Sequence, residues 1–545
     1  MKTLYFNGNI YTGDDFVTAL LVEDGVITEI GSAAERSADE VERVDLRGKT
    51  VIPGFNDSHL HLYGLGKYLR SVQLAGCSSI EDMIERTRRF IKDNQIPLGK
   101  VVTGRGWNED YFSLERRSPT KKDLDRISTE HPVILRRVCG HIAVCNSLAL
   151  KMAGIGNDTR PVLGGQILRD EEGNATGIFT ENSIEQIEAI IPPPSVQDIK
   201  DAVTTAMNWA VSFGVTSIQT NDVNDDFSLI HAAYQELEQE GNLKVRVTMQ
   251  NCFTSAKGFK KYLEEEAGLK GSDLYRPGPL KLYADGSLGG RTALLSGVYK
   301  DDPSASGVQV MSQEEMDTFF RMAEEKGVQV IVHAIGDRAV RMVIDAIKRT
   351  ASPGNPLRHG IVHAQITSED ILEEIRKENI LAFVQPIFLH YDMHIVRERV
   401  GEALAATSYS FRRMADSGIH VSFGTDCPVE EISTFNNLYC AVTSQDLNGW
   451  PEGGFYPDGR FPVRQAVDCY TYEGAYASFE EGKKGKLRIG YAADFAVLDR
   501  NIFQIDPNEI RDTKVLLTVM GGKKTYQAEE WKATAPHPER TFSGN

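Results

Sequence analysis

What this chain is short of narrows its class before any motif is read. Basic residues are the minority, 60 Lys and Arg against 77 Asp and Glu, for a net charge of −17. That balance argues against nucleic acid and anionic membranes as partners, since both attract positive surfaces. No uninterrupted apolar run reaches membrane-spanning length. The first twenty residues are broken by Asn7, Asn9, Asp14 and Asp15 and hold no signal-peptide core, so the expected location is the cytoplasm. The 7 cysteines include no Cys-x-x-Cys pair, which suits buried thiols in a reducing compartment and argues against a disulfide framework. Cys139 and Cys145 flank His141 at a spacing that no common zinc module uses. Internal repeats and low-complexity tracts are also missing. What remains is an ordinary soluble composition, 545 residues and 41% hydrophobic, more than one typical domain and ample for a large core.

The informative pattern is a set of metal-ligand side chains, each at the end of a short apolar run: His59 and His61, His333, His363 and Asp426. The runs are β-branched or aromatic and of strand length, as in Val328-Gln-Val-Ile-Val-His333 and Ile419-His-Val-Ser-Phe-Gly-Thr-Asp426. In His59-Leu60-His61 the period of two puts both imidazoles on one face, about 6 to 7 Å apart, a spacing that suits two ligands on one ion. Further strands are expected at 214–219, 244–249, 280–285 and 380–385, making eight between residues 51 and 426. Amphipathic helical stretches such as 339–348 and 368–376 lie between them, and strands alternating with helices imply parallel pairing. The expected fold is therefore α/β, a (β/α)8 TIM barrel with its site at the strand C-termini and the candidate ligands on strands 1, 5, 6 and 8.

Ordered motifs extend this reading: Pro53-Gly-Phe-Asn-Asp-Ser-His-Leu-His61, Lys281-Leu-Tyr-Ala-Asp-Gly-Ser-Leu-Gly-Gly-Arg-Thr-Ala293, His333-Ala-Ile-Gly-Asp-Arg-Ala339, Arg358-His-Gly-Ile-Val-His-Ala-Gln365, Gly424-Thr-Asp426 and Ala493-Asp-Phe-Ala-Val-Leu-Asp499. Across essentially its whole length the chain resembles metal-dependent hydrolases of the amidohydrolase superfamily, in the amidohydrolase 3 branch that includes the YtcJ-like and N-substituted formamide deformylase-like proteins. The resemblance implies that His59, His61, His333, His363 and Asp426 are metal ligands. It also implies that Lys281 bridges two ions as a carboxylated lysine; alternation points Lys281 into the barrel, one strand before His333. A free Lys281 beside a mononuclear site is the other reading of that position. Zinc is the expected metal, with iron or manganese as alternatives tolerated by the same ligands.

Three segments near the N-terminus and two near the C-terminus, 494–498 and 514–520, read as short strands too few at either end to stand alone. They are expected to pair into one small β domain of sandwich type, residues 1–52 with 484–545, around a barrel at 53–483. About 150 residues separate strands 1 and 2, far beyond an ordinary βα connection, so an insertion domain is expected at about 65–205. Because it leaves from the active-site rim, Trp107, His141 and Asn146 are candidate substrate contacts, with a purely structural role as the alternative for each. Asp285 and Arg291 join the candidates. Asp285 alternatively reads as a ligand or a turn residue beside Gly286, and Asp337 as a helix N-cap. His359 is four residues from His363, roughly 13 Å along a strand, which excludes one shared ion. His390 and His394 follow strand 7 and read as solvated loop histidines.

The expected reaction is hydrolysis of a C–N bond in an N-substituted formamide, N-acyl compound or cyclic amide by a metal-activated hydroxide. Asp426 would carry the proton and His141 would steady the oxyanion. Two other classes compete. A deaminase on the same barrel would carry a Glu shortly after the strand 5 histidine, whereas His333 is followed by Ala-Ile-Gly-Asp-Arg. A catalytically silent metal-binding regulatory protein shares the fold, yet would have no reason to keep Asp426 along with the histidines. The expected partners are a small-molecule substrate and at most a second copy of the chain in a homodimer.

Overall fold

A computed structural model of the protein describes residues 2–36, 41–113, 115–223, 227–265 and 271–533. The last stretch of the expected C-terminal β segment, 534–545, lies outside them. The chain divides into two compact units, one of residues 1–64 with 206–545 and one of Leu65–Thr205.

The first unit is organised by an eight-stranded parallel sheet. Its strands are β1 (Phe55–Leu60), β2 (Val215–Val223), β3 (Arg246–Cys252), β4 (Tyr275–Tyr283), β5 (Val330–Ala334), β6 (Gly360–His363), β7 (Leu381–Val384) and β8 (Val421–Phe423). They pair in chain order, each with the next. All eight expected strands are present. The sheet curls until β8 meets β1: Asp426 N donates to His59 O at 2.8 Å and His61 N to Cys427 O at 2.7 Å. The approach is close enough that a Cβ on Gly424 would lie 2.7 Å from His59 N, which leaves glycine as the residue that fits. The result is a nearly closed barrel whose strands all end at one rim.

The helices between strands follow from local chemistry. Gln313–Lys326 starts in a capping box, the Ser312 side chain accepting from Glu315 N and the Glu315 carboxylate from Ser312 N, and stops at Gly327 with φ 67°. Asp337–Thr350 buries Val340, Val343, Ile344 and Ile347, an i, i+3, i+4, i+7 stripe. Among the described residues no helix is long and apolar enough to cross a membrane.

Both ends of the chain enter one six-stranded sheet, in which Thr50–Pro53 pairs antiparallel with Phe495–Leu498. A four-stranded sheet built from Lys2–Phe6, Leu20–Glu23, Val26–Ile30 and Glu42–Asp45 shares a core with it, Tyr5, Leu20, Val22 and Ile27 meeting Val51, Phe495, Leu517 and Val519.

The second unit holds a six-stranded mixed sheet of Val72–Gln73, Val102–Trp107, Val133–Arg137, Ile142–Cys145, Gly165–Arg169 and Ala175–Glu181. Helix Ile80–Asp93 packs Ile80, Met83 and Ile84 into a core with Trp107, Phe112, Leu124 and Leu135.

Candidate metal centre

The candidate ligands converge at the rim of the barrel. Period-two alternation on β1 sends His59 and His61 to one face, with ring centroids 5.4 Å apart. The His59 ring lies 5.8 Å from that of His363, and His363 lies 4.5 Å from His333, so the four imidazoles form one continuous group. Asp426 Oδ1 sits 3.1 Å from His61 Nε2 and 3.4 Å from His59 Nε2, and these three side chains can hold one ion. His363 and Asp426 both have positive φ, 80° and 56°, an unusual backbone state for residues with a Cβ and one that recurs where function imposes geometry.

The hydrogen-bond partners of the rings fix which nitrogen is available. His61 Nδ1 meets the Asn221 carbonyl at 2.8 Å, and a carbonyl only accepts, so the proton is on Nδ1 and the lone pair on Nε2. His59 Nδ1 lies 2.6 Å from Gln250 Oε1, and Gln250 is oriented by its own Nε2 donating to Ser58 O at 2.9 Å. His363 Nδ1 meets Gln385 Oε1 at 2.7 Å, and Gln385 Nε2 donates to Phe383 O at 3.2 Å. His333 is reversed: Nε2 donates to Gly286 O at 3.0 Å, leaving Nδ1 for coordination. Partners of this kind orient ligating imidazoles and raise their basicity.

Electrostatics favour the ligand forms of three of the four imidazoles and of the carboxylate. Burial pulls His59, His333 and His363 below the ordinary histidine range, His363 to about 4, so all three are neutral near pH 7. Burial also lowers His61, but the Asp426 carboxylate outweighs it and the net shift is upward. Asp426 is held well below the usual carboxylate range: burial raises it, while His61, His59 and His363 together lower it more. Asp57 ties β1 to β8 by accepting from Thr425 Oγ1 at 2.7 Å, Thr425 N at 3.1 Å and His59 N at 3.3 Å.

Lys281, on β4, is fully buried. Its Nζ has no hydrogen-bond partner among the described residues and lies 4.0 Å over the Tyr283 ring. Burial pulls the ammonium down to about 8, partly offset by Asp426. An orphaned buried nitrogen beside imidazoles with open lone pairs and an ionised carboxylate is the chemistry of a divalent-metal site, and the donor set fits one.

Other nominated residues have different surroundings. Asp285 accepts backbone N–H groups from Leu294 at 2.8 Å, Ile335 at 3.0 Å and Gly336 at 2.8 Å, so its carboxylate organises the loops after β4 and β5. Its nearest approach to a candidate ligand is 3.5 Å, to His333 Nε2. Arg291, at φ 54°, is ion-paired to Asp301 at 2.9 Å. Trp107 and Asn146 correct the expectation of substrate contact. Trp107 is fully buried in the second unit's core and donates Nε1–H to Leu135 O at 3.2 Å. Asn146, also fully buried, caps helix Ser147–Met152 by accepting from Ala149 N, accepts from Val133 N, and donates to Ser128 O and His131 O. With every hydrogen-bonding atom of the Asn146 side chain engaged inside its own unit, no polar atom is left for a ligand. His141 is exposed, with Nδ1 paired to Glu181 at 2.8 Å. His359 lies before β6, where Nδ1 accepts from Val330 N and Nε2 donates to Glu324.

Reading the sequence missed Gln250, Asn221 and Gln385. For Gln250 and Gln385 the available signal was a polar amide at or just past the C-terminal end of a strand, β3 and β7; Asn221, on β2, acts through its backbone carbonyl, which no side-chain pattern marks.

Comparison with known proteins agrees with this geometry. The sequence pattern of the amidohydrolase family, Amidohydro_3, matches residues 42–526. YtcJ of Bacillus subtilis, named as an amidohydrolase, is 32% identical over 536 residues, 97% of this chain and 100% of that protein. The N-substituted formamide deformylase of Arthrobacter pascens is 26% identical over 553 residues, 96% of this chain and 98% of that one. The crystal structure of an uncharacterized metal-dependent hydrolase from Pyrococcus furiosus superposes with a TM-score of 0.77 at 32% identity, covering 92% of this chain and 100% of that one.

Proposed function

We propose, from the premise that this chain belongs to the amidohydrolase family, that it hydrolyses a C–N bond of a small amide: an N-substituted formamide, an N-acyl compound or a cyclic amide. The observation that carries the reading is one continuous group of four imidazoles from three strand ends, two of them against the Asp426 carboxylate, in which outer partners hold Nδ1 of three rings and Nε2 of the fourth and leave the other nitrogen of each for coordination.

His59, His61, His333, His363 and Asp426 would hold the metal, zinc by donor type, with Lys281 joining as a carbamate if a second ion binds. A divalent ion there supplies Lewis acidity to a carbonyl and lowers the pKa of water towards neutrality. The protein's own part is proton traffic and orientation. Asp426, ionised and at the rim, accepts a proton from the attacking water and returns it to the departing nitrogen. Gln250, Asn221 and Gln385 keep the rings from turning during that exchange. A neutral Lys281 amine can capture carbon dioxide through a new N–C bond, releasing one N–H proton to solvent, to give a carbamate anion with two oxygens, which its orphaned, buried position favours. His141, exposed beside Glu181, is proposed as a donor to the oxyanion.

The test is a screen of zinc-loaded protein against N-formyl amines, N-acyl amino acids and cyclic imides, alongside elemental analysis. The expected result is about one to two divalent ions per chain, from the ligand inventory, and turnover of at least one amide class that chelation abolishes. Carefully prepared protein without any transition metal would overturn the reading.

A further inference from the structure

Opposite the rim, the barrel is closed by one short helix, Tyr472–Ala477. Gly474 O accepts from Gln219 Nε2 at 2.9 Å, Ala477 O accepts from Gln329 Nε2 at 3.3 Å, and the Tyr476 ring stacks on His420 with centroids 3.7 Å apart. Ala477 packs in one core with Ile331, Val362 and Phe383. A single helix can meet side chains of β2, β5, β6 and β7 together only by plugging the barrel, so those side chains face the interior. Asn56 of β1 faces it too, since a Cβ on Gly474 would lie 2.9 Å from Asn56 Cβ and Cγ.

These residues form the layer directly under the metal ligands and their partners. Ile331 lies two positions before His333, Phe383 two before Gln385 and Gln219 two before Asn221. On the β5 to β7 side the layer is apolar, as barrel interiors usually are. On the β1 to β2 side it is polar and unpartnered: Asn56 Nδ2 and Oδ1, Ser58 Oγ and Gln219 Oε1 make no hydrogen bond among the described residues, although none of the three residues is more than 3% exposed. Gln219 gains nothing by turning its amide over, because Nε2 is already engaged with Gly474 O. Orphaned groups at this depth are destabilising unless something small supplies the missing bonds. The set presents donors and acceptors side by side, the Asn56 amide N–H groups and the Ser58 hydroxyl with two amide oxygens, and it carries no charge. That mixture suits water, which both donates and accepts.

The layer bears on the metal through β1. Two steps along β2, from Ile218 to Thr220, are matched by three along β1, from Asp57 to Leu60. The extra residue makes a bulge at Ser58 and His59, which turns His59 and His61 inward on a strand whose Asn56 and Ser58 already face inward. A bulge lacks part of its ladder. Gln250 Nε2 holds this one by donating to Ser58 O at 2.9 Å, and Asp57 by accepting from His59 N at 3.3 Å.

We propose that Asn56, Ser58 and Gln219 bind ordered water as a fixed component of the barrel, about one or two molecules at two to four hydrogen bonds each, and that this water pins the bulge from which His59 reaches the metal. The site is independent of which bond the protein hydrolyses. High-resolution crystallography of the zinc-loaded full chain should show density within hydrogen-bond distance of at least three of the four orphaned atoms. A direct bond from Asn56 Nδ2 to Gln219 Oε1 with no density beside it would overturn the proposal, as would density whose contacts are shorter than hydrogen bonds, the mark of a cation. Asn56→Leu, which fills the layer with hydrocarbon, should remove the density and weaken zinc binding about 3- to 10-fold in competition against a chromophoric chelator, less than a direct partner of a metal-bound histidine contributes because the effect is relayed. Asn56→Ser keeps a hydroxyl and makes room for a further water, and should bring the affinity back to that of the parent. Parent-like zinc affinity in a folded Asn56→Leu chain would overturn the proposal. So would an unfolding temperature above the parent's, the sign that leucine had relieved a dry, unsatisfied amide. If Asn56→Leu does not fold, the density in the parent and in Asn56→Ser decides.

Discussion

Gln250→Leu isolates the contribution of a residue that touches no metal. Gln250 is fully buried, accepts from His59 Nδ1 at 2.6 Å and donates to Ser58 O at 2.9 Å. Leucine keeps the volume and removes both bonds. In the metal-free variant the freed His59 ring can turn, or exchange tautomer, to give an N–H to Asp426, 3.4 Å from Nε2 in the present arrangement. Metal binding must undo that and leave the Nδ1–H buried without an acceptor. A buried unsatisfied donor costs about 1–3 kcal/mol, equivalent to about 5- to 140-fold in dissociation constant, and partners of metal-bound histidines generally contribute about 10- to 100-fold. The assay is competition for Zn(II) against a chromophoric chelator, with thermal unfolding of the chelated protein measured separately to register any loss of fold. Metal affinity within twofold of the parent in a variant that folds normally would refute the assignment of Nε2 as the His59 ligand atom.

Further outcomes follow from the same geometry. Asp426→Asn should lower turnover by about 10²- to 10⁴-fold, the usual weight of a positioned proton carrier, and near-normal turnover would remove Asp426 from the proton path. Trp107→Ala should destabilise the second unit by about 3–5 kcal/mol, as deletion of a buried aromatic does, read as a lowered unfolding transition; His141→Ala should instead raise KM or lower kcat at unchanged metal content, and unaltered kinetics would retire its proposed role. Asp392 is pushed up to about 6 by burial, against the hydrogen bonds of Tyr409 and Gln365. The folded state then holds the proton that the unfolded state has released, so this group's contribution to stability falls as pH rises from about 4 to about 6, by up to roughly 3 kcal/mol. Asp392→Asn should flatten that slope in denaturant titrations, and an unchanged slope would count against it. Metal-replete crystals grown with bicarbonate should show Lys281 Nζ extended by a carboxylate, whereas density ending at the amine would leave a one-metal site.

The barrel was legible in the sequence because each strand carries its own local signal, a β-branched run of fixed length closed by a polar residue, and parallel pairing follows from the helices between them. The gathering of His59, His61, His333, His363 and Asp426 at the rim was legible for the same reason: a polar side chain at a strand end needs no knowledge of its neighbours to be noticed. Period two even set the separation of His59 and His61. The choice of nitrogen on each ring was not legible, because it depends on partners such as Gln250, 191 positions from His59, and Asn221, 160 positions from His61. No local pattern pairs either of them with its histidine. Trp107 and Asn146 resemble site residues in composition, and only packing reveals that one fills a core and the other caps a helix. Local periodicity therefore determined which side chains reach the rim. Hydrogen bonds between residues distant in the chain determined which atoms face a ligand and which polar groups are already satisfied.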